Sequence, residues 1–305
     1  MTTEVATTMK EERIDGARGL KIFVRSWRPQ GKPRGVVTIC HGVNSHSGYY
    51  GWAAAQLVAS GLAVYALDLH GRGKSEGERF YLESIDDYIT DVDRLVELAK
   101  SRDPGLPIFL LGHSAGGVVS CVYTLENQSK LAGLICESFA FQVAAPDFAV
   151  TVVKGLSEIA PHLKVLKLKN EQFSRDPKVV EAMNSDPLTA DESQPTKTVS
   201  ELAKAGERLR REFPLITLPV LIMHGTADKA TRPSGSQLFF DTAGSKDKTL
   251  KLYEGHVHDL LNDYDKDVVI ADIKGWISQR LPAMRSATIG MGVSSNTTSM
   301  PLSAS

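Results

Sequence analysis

Short, nearly uninterrupted apolar runs alternate along this chain with longer stretches of helical spacing. Residues 35–40, 62–68, 107–111, 131–136 and 218–223 are apolar on successive positions. A strand with that pattern leaves neither face to water, which predicts strands of a parallel sheet covered on both sides. Between them, residues 49–60 and 84–101 carry apolar side chains at helical intervals, the second through Ile85, Tyr88, Ile89, Val92, Leu95, Val96 and Leu98. Residues 115–125, 233–242 and 266–281 read as further helices, and 249–253 as a last strand. Residues 20–27 alternate more loosely, as an antiparallel edge strand does. Repeated strand–helix alternation predicts an α/β fold with a mostly parallel central sheet flanked by helices.

The alternation breaks between about Gln142 and Phe213. No clear strand is visible there, and helical stretches are interrupted by Pro146, Pro161, Pro177, Pro187 and Pro195. This predicts an inserted helical cap over 142–213, with a core built from 20–141 and 214–283. Residues 1–19 are polar and mixed in charge and read as an N-terminal extension. Residues 284–305, mostly small and polar, read as a disordered tail.

Composition narrows the class rather than the function. At 305 residues, 42% hydrophobic and 23% charged, the chain is ordinary globular protein, able to bury a large core. A net charge of -1 gives no electrostatic basis for binding nucleic acid or an anionic membrane. The N-terminus lacks the apolar centre of a secretory signal, and no apolar run approaches the ~20 residues that span a bilayer. A cytoplasmic protein is expected, in which Cys40, Cys121 and Cys136 are buried, reduced thiols rather than a disulfide framework or a zinc site.

The chemistry gathers at 110–117, where an apolar run ends in Gly112-His113-Ser114-Ala115-Gly116 and a helical pattern starts at once. Strand, tight turn and helix around a central serine form a nucleophile elbow; the flanking glycines let strand and helix approach while Ser114 projects its hydroxyl. A serine hydroxyl needs a base within hydrogen-bond reach, and the base needs an orienting carboxylate. Such partners follow in the order Asp, His. Asp228, just past the 218–223 strand, fits the acid, with Asp241 and Asp247 as rivals deeper in a helix or charged loop. His258 and His256 both follow the final strand; His258 lies deeper in the loop and is the preferred base. A metal reading of the two histidines lacks further ligands at suitable spacing. Acyl transfer also requires two donors aimed at the developing oxyanion. The backbone N–H of Ala115 and of Val43, in the loop after the 35–40 strand, are the candidates, with His41 bonding loop backbone.

These motifs resemble the monoacylglycerol lipase and lysophospholipase group of α/β-hydrolases. The resemblance rests on His41-Gly42-Val43-Asn44-Ser45-His46-Ser47-Gly48-Tyr49-Tyr50, on Asp68-Leu69-His70-Gly71-Arg72-Gly73-Lys74-Ser75-Glu76-Gly77, on the elbow, and on Leu250-Lys251-Leu252-Tyr253-Glu254-Gly255-His256-Val257-His258. It implies the α/β-hydrolase fold, a Ser114–Asp228–His258 triad without cofactor or metal, and a small ester substrate. The Gly-x-x-His of the group falls on His258. This chain departs from the group at Ser45, Tyr49, Arg72 and Ala115, where Glu, Arg, His and Met are usual.

Two other classes use the same residues: an acyltransferase, which differs only in the acceptor, and a small-molecule-binding protein that keeps the fold without turnover. In the cap, Phe148, Val150, Val152, Val153, Leu156 and Ile159 give more apolar surface than a solvated helix needs. Val152 and Leu156 are the candidate acyl-chain contacts, and transient contact with a lipid surface would use the same face.

Overall fold

The computed structural model describes residues 8–142 and 147–282, the side chains of 147 and 148 excepted. Phe148 and the tail at 284–305 lie outside these described side chains and residues.

The apolar runs become the strands they predict. In chain order the core holds β1 (Thr8–Asp15), β2 (Lys21–Arg28), β3 (Gly35–Cys40), α1 (Gly51–Ala59), β4 (Leu62–Asp68), α2 (Ile85–Arg102), β5 (Ile108–His113), α3 (Ala115–Asn127) and β6 (Gly133–Glu137). The cap follows, with α4 (Asp147–Leu156), β7 (Lys164–Leu166), α5 (Pro177–Ser185), β8 (Gln194–Pro195) and α6 (Thr196–Glu212). The core resumes with β9 (Val220–Gly225), α7 (Pro233–Thr242), β10 (Lys248–Tyr253) and α8 (Lys266–Ser278).

Eight strands form one sheet in the order β1-β2-β4-β3-β5-β6-β9-β10, parallel from β4 to β10 and antiparallel across β1, β2 and β4. Alternate residues of each strand feed opposite faces. Val36, Leu110 and Leu134 join one core with Val92 and Val96 of α2 and Val118 and Val122 of α3. Val37, Leu111 and Ile135 join the other with Leu57 of α1 and Ile273 and Trp276 of α8. That two-sided burial is why the runs lack polar alternation.

Three expectations change. The polar extension contributes β1, which pairs with β2 from Thr8↔Arg28 to Asp15↔Lys21. The 20–27 strand is therefore interior and β1 is the edge; an edge strand with one wet face and charged residues needs no apolar signature. Arg102 and Glu12 fasten it, with Nη1 and Nη2 donating at 2.6 and 2.7 Å. The cap, read as all-helical, contains the small antiparallel pair β7 and β8. Among the described residues, no helix is long and apolar enough to cross a membrane. Cys40, Cys121 and Cys136 are free and buried.

Candidate active site

Ser114 occupies the turn between β5 and α3 with φ +54° and ψ −121°, a left-handed-side conformation costly for a residue with a Cβ. The surroundings impose it. The Ser114 N–H donates to the Glu137 carbonyl at 2.9 Å, and the Ser114 carbonyl accepts from Gly117 (3.0 Å) and Ala140 (3.1 Å). A Cβ on Gly116 would lie 2.3 Å from the Cys40 carbonyl oxygen, so α3 can start this close to β3 only with glycine there. Gly42 is equally constrained: a Cβ would meet Ser114 Cβ at 2.7 Å. The loop after β3 thus lies directly against the nucleophile candidate.

β9 and β10 deliver the other two groups. His258 Nε2 and Ser114 Oγ are 2.9 Å apart, and His258 Nδ1 lies 2.7 Å from Asp228 Oδ2. All three side chains are buried; Ser114 is 2% exposed. His256 is not part of this chain of bonds. Its ring lies tilted by 50° against Tyr253, the centroids 5.5 Å apart, and its carbonyl reaches the Asp228 turn, accepting from the Ala227 N–H at 2.9 Å. Asp241 bonds Gln237 within α7 and Asp247 pairs with Arg280, so neither rival acid approaches the site.

Asp228 is more densely held than its turn position suggests. Oδ1 accepts from the N–H groups of Ala230 (2.8 Å) and Thr231 (3.0 Å), and Oδ2 from Thr231 Oγ1 (2.7 Å). His224, from the end of β9, places Nε2 3.0 Å from the same Oδ2, while its Nδ1 is 2.7 Å from Ser236 Oγ. Burial alone would raise this carboxyl, but the bonds from His224 and His258 outweigh it and hold Asp228 well below the usual carboxylate range. It is an anion throughout ordinary pH. His224 and Thr231 were not singled out from sequence; the only signal for His224 is its place at the tip of an apolar strand, four residues before the acid.

The cap touches this site. Phe173, fully buried, stands edge-on to the His258 ring at 4.9 Å, and its carbonyl accepts from the Asp259 N–H at 2.8 Å. Leu156 is half-buried, whereas Val152 is 62% exposed and so forms no wall of an enclosed cavity. His41 behaves as the loop-bonding residue expected: Nδ1–H donates to the Gly42 carbonyl at 2.7 Å, and Nε2 accepts from the Leu69 N–H at 3.0 Å. Burial pushes it down to about 4, consistent with a neutral ring. Among the described residues, the N–H groups of Val43 and Ala115 make no hydrogen bond within the protein.

Behind His258 lie His113, Glu137 and Asp259, fully sealed from solvent, with ligating atoms within 4.8 Å of one another. Among the described residues this is the group spaced closely enough to hold a metal ion. Burial, with Asp259 nearby, pushes Glu137 well above the usual range. Burial pushes Asp259 up to about 6 against the opposing bond from Asn262. Because its folded value exceeds the ordinary 3.8, the stability Asp259 contributes is complete below 3.8 and lost as pH rises through about 6. Thermal midpoints of Asp259→Asn and wild type, measured across that window, are expected to diverge in favour of the variant as pH rises. A constant difference would mean that Asp259 ionises as freely folded as unfolded.

Comparison with known proteins places the chain in a family. The family model described as serine aminopeptidase, S33, matches residues 31–265. The chain is 33% identical over 279 residues to a monoacylglycerol lipase of Mycolicibacterium smegmatis, covering 91% of this chain and all of that one. It is 35% identical over 269 residues to the monoglyceride lipase of Homo sapiens, covering 87% and 89%. The crystal structure of a Paleococcus ferrophilus monoacylglycerol lipase superposes with a TM-score of 0.77 at 31% identity, covering 85% of this chain and 99% of that one. The sheet order, the serine turn and these matches together make the chain a member of the serine aminopeptidase S33 family of α/β-hydrolase-fold serine hydrolases.

Proposed function

We propose that this protein hydrolyses small or single-acyl-chain carboxylic esters, monoacylglycerols among them, through an acyl-enzyme on Ser114. The observation that carries the reading is the unbroken path Ser114 Oγ–His258 Nε2 at 2.9 Å and His258 Nδ1–Asp228 Oδ2 at 2.7 Å. Ser114 Oγ bonds to the ester carbonyl carbon as His258 Nε2 takes its proton. Asp228, anionic and fixed by its own donors, holds Nδ1–H and stabilises the imidazolium. The carbonyl oxygen, now negative, is received by the unbonded N–H groups of Val43 and Ala115. The ester C–O bond breaks, and the leaving alkoxide takes the proton from His258. A water then gives a proton to His258 as its oxygen bonds to the acyl carbon; the bond from that carbon to Ser114 Oγ breaks, Oγ takes the proton back from His258, and the acid leaves.

The relatives named above as monoacylglycerol and monoglyceride lipases support a glycerol monoester as substrate. The acyl chain belongs to the apolar cap: Leu156, half-buried, lies along it, and exposed Val152 contributes at most at its mouth. Purified protein is expected to turn over p-nitrophenyl butyrate and a monoacylglycerol, and to react with a fluorophosphonate at Ser114 in one-to-one stoichiometry. Protein that is folded, inert to every ester and unlabelled at Ser114 would leave only the binding-protein reading.

A further inference from the structure

The peptide that follows the Val43 N–H is held by the cap. The Asn44 N–H donates to Glu192 Oε1 at 2.8 Å, and Asn44 Nδ2 donates to Asn170 Oδ1 (2.9 Å) and the Leu168 carbonyl (3.4 Å). All three acceptors lie in the insertion between β6 and β9. Asn44 itself sits at φ +51°, a conformation that persists in a non-glycine residue only where neighbours over-determine it.

Glu192 is fixed in turn. It is 3% exposed, and the same Oε1 accepts from Arg72 Nη1 and from Gln194 Nε2 at 2.8 Å. Arg72, 2% exposed, also donates from Nη2 to Gln194 Oε1 (2.6 Å) and from Nε to Tyr88 Oη (3.0 Å). One carboxylate oxygen therefore gathers a core arginine, a cap amide and the backbone of the loop beside Ser114. A buried Arg72 requires a counter-charge, but Arg72 could be neutralised anywhere on its fork. Capture of the Asn44 N–H by that same oxygen holds the Val43–Asn44 peptide, while His41 Nδ1–H on the Gly42 carbonyl holds the Gly42–Val43 peptide that carries the Val43 N–H; the two bonds bracket Val43 and restrict the dihedrals between them.

We propose that Glu192 is a positioning residue for catalysis: from the cap, it holds the peptide that follows Val43 through the Asn44 N–H and so steadies the Val43 oxyanion donor. This rests on the ester-hydrolase reading above.

Removing Glu192 alone would strand Arg72 and risk the fold, so the test compares two double variants. Glu192→Leu with Arg72→Met removes the ion pair, a replacement buried pairs commonly tolerate, and also removes the acceptor for Asn44. Glu192→Gln with Arg72→Met removes the same charges but keeps a carbonyl oxygen where Oε1 was. The first is expected to lose roughly 10- to 100-fold in kcat with KM within about twofold, the scale of a misaimed oxyanion donor. Its Ki for phenylboronic acid, whose tetrahedral adduct with Ser114 places an oxygen in the same hole, should rise by a similar factor. The second is expected to recover both to within about threefold of wild type, as an acceptor role requires. Equal kcat and Ki in the two double variants beside an active wild type overturn the proposal alone, as does a loss confined to KM. A wild type without ester turnover overturns the ester reading instead, and this one with it.

Discussion

Ser114→Ala and His258→Ala are each expected to lower kcat by on the order of 10⁴- to 10⁶-fold, the range for groups that act as a unit. The two bonds that join them leave no substitute. Alanine at 114 removes the hydroxyl that lies 2.9 Å from His258 Nε2, and alanine at 258 removes the proposed base. Because the three act together, the Ser114→Ala, His258→Ala double variant should be little worse than either single one. Asp228→Asn is expected to cost somewhat less, about 10⁴-fold, by presenting an amide where His258 Nδ1–H needs an acceptor. Here His224 and Thr231 also share Oδ2, so the amide would disturb three donors rather than one. His256→Ala supplies the contrast: its ring touches Tyr253 and not Ser114, and its loss should be minor in kcat. Steady-state kinetics on p-nitrophenyl butyrate decide the matter, and a His256 variant more damaged than the His258 variant would reverse the assignment of the base.

Val43→Pro is expected to lose roughly 10²- to 10³-fold in kcat, the effect of deleting one oxyanion donor. Side-chain truncation cannot probe a backbone N–H, but proline removes it outright. Val43→Ala keeps the N–H and serves as control, since both changes cost the packing of a buried valine. Circular dichroism and a thermal midpoint for both variants separate loss of the donor from loss of the fold. Folded Val43→Pro protein with turnover equal to Val43→Ala would remove Val43 from the anion site and leave Ala115 to be paired with another donor.

Both results bear on how the chain encodes its site. The serine turn is legible in five consecutive residues because strand, turn and helix follow one another there: Gly112 makes room for Gly116 and Gly117 of the helix it leads into, while the need for glycine at 116 comes from the Cys40 carbonyl on the neighbouring strand. The order Ser, Asp, His follows from strand ends, and those ends are legible because strands buried on both faces are apolar throughout. β3, β4, β5, β6 and β9 are visible for that reason, whereas β10, at the other edge of the sheet with only Tyr253 buried, shows itself by its alternation. β1 was not: an edge strand with the burial pattern of mostly exposed residues carries no apolar signal, and only its pairing with β2 makes it a strand.

Spacing placed His258 deeper in its loop than His256, but selecting between them required the fold, because the turn after β10 decides which ring swings back over the sheet. The partners of Asp228 also depend on distance in space. His224 and Thr231 converge on it from the end of β9 and the loop beyond, and nothing in their local sequence marks them as donors to a carboxylate. The cap is the extreme case. Val152 and Leu156 stand on one apolar helix and differ in exposure only because of what α4 packs against. Asn44 and Glu192 are 148 positions apart, and a polar residue in a proline-broken insertion gives no sign that it will meet a backbone N–H beside the nucleophile. The interior strands, the serine elbow and the Ser, Asp and His candidates could be read from the chain alone, because two-sided burial writes an apolar run and a tight turn writes its glycines. The β1 edge strand, the histidine that meets Ser114, the donors around Asp228 and the contact of the insertion with the loop after β3 emerge only in the fold, since each joins distant groups whose local patterns carry no mark of it.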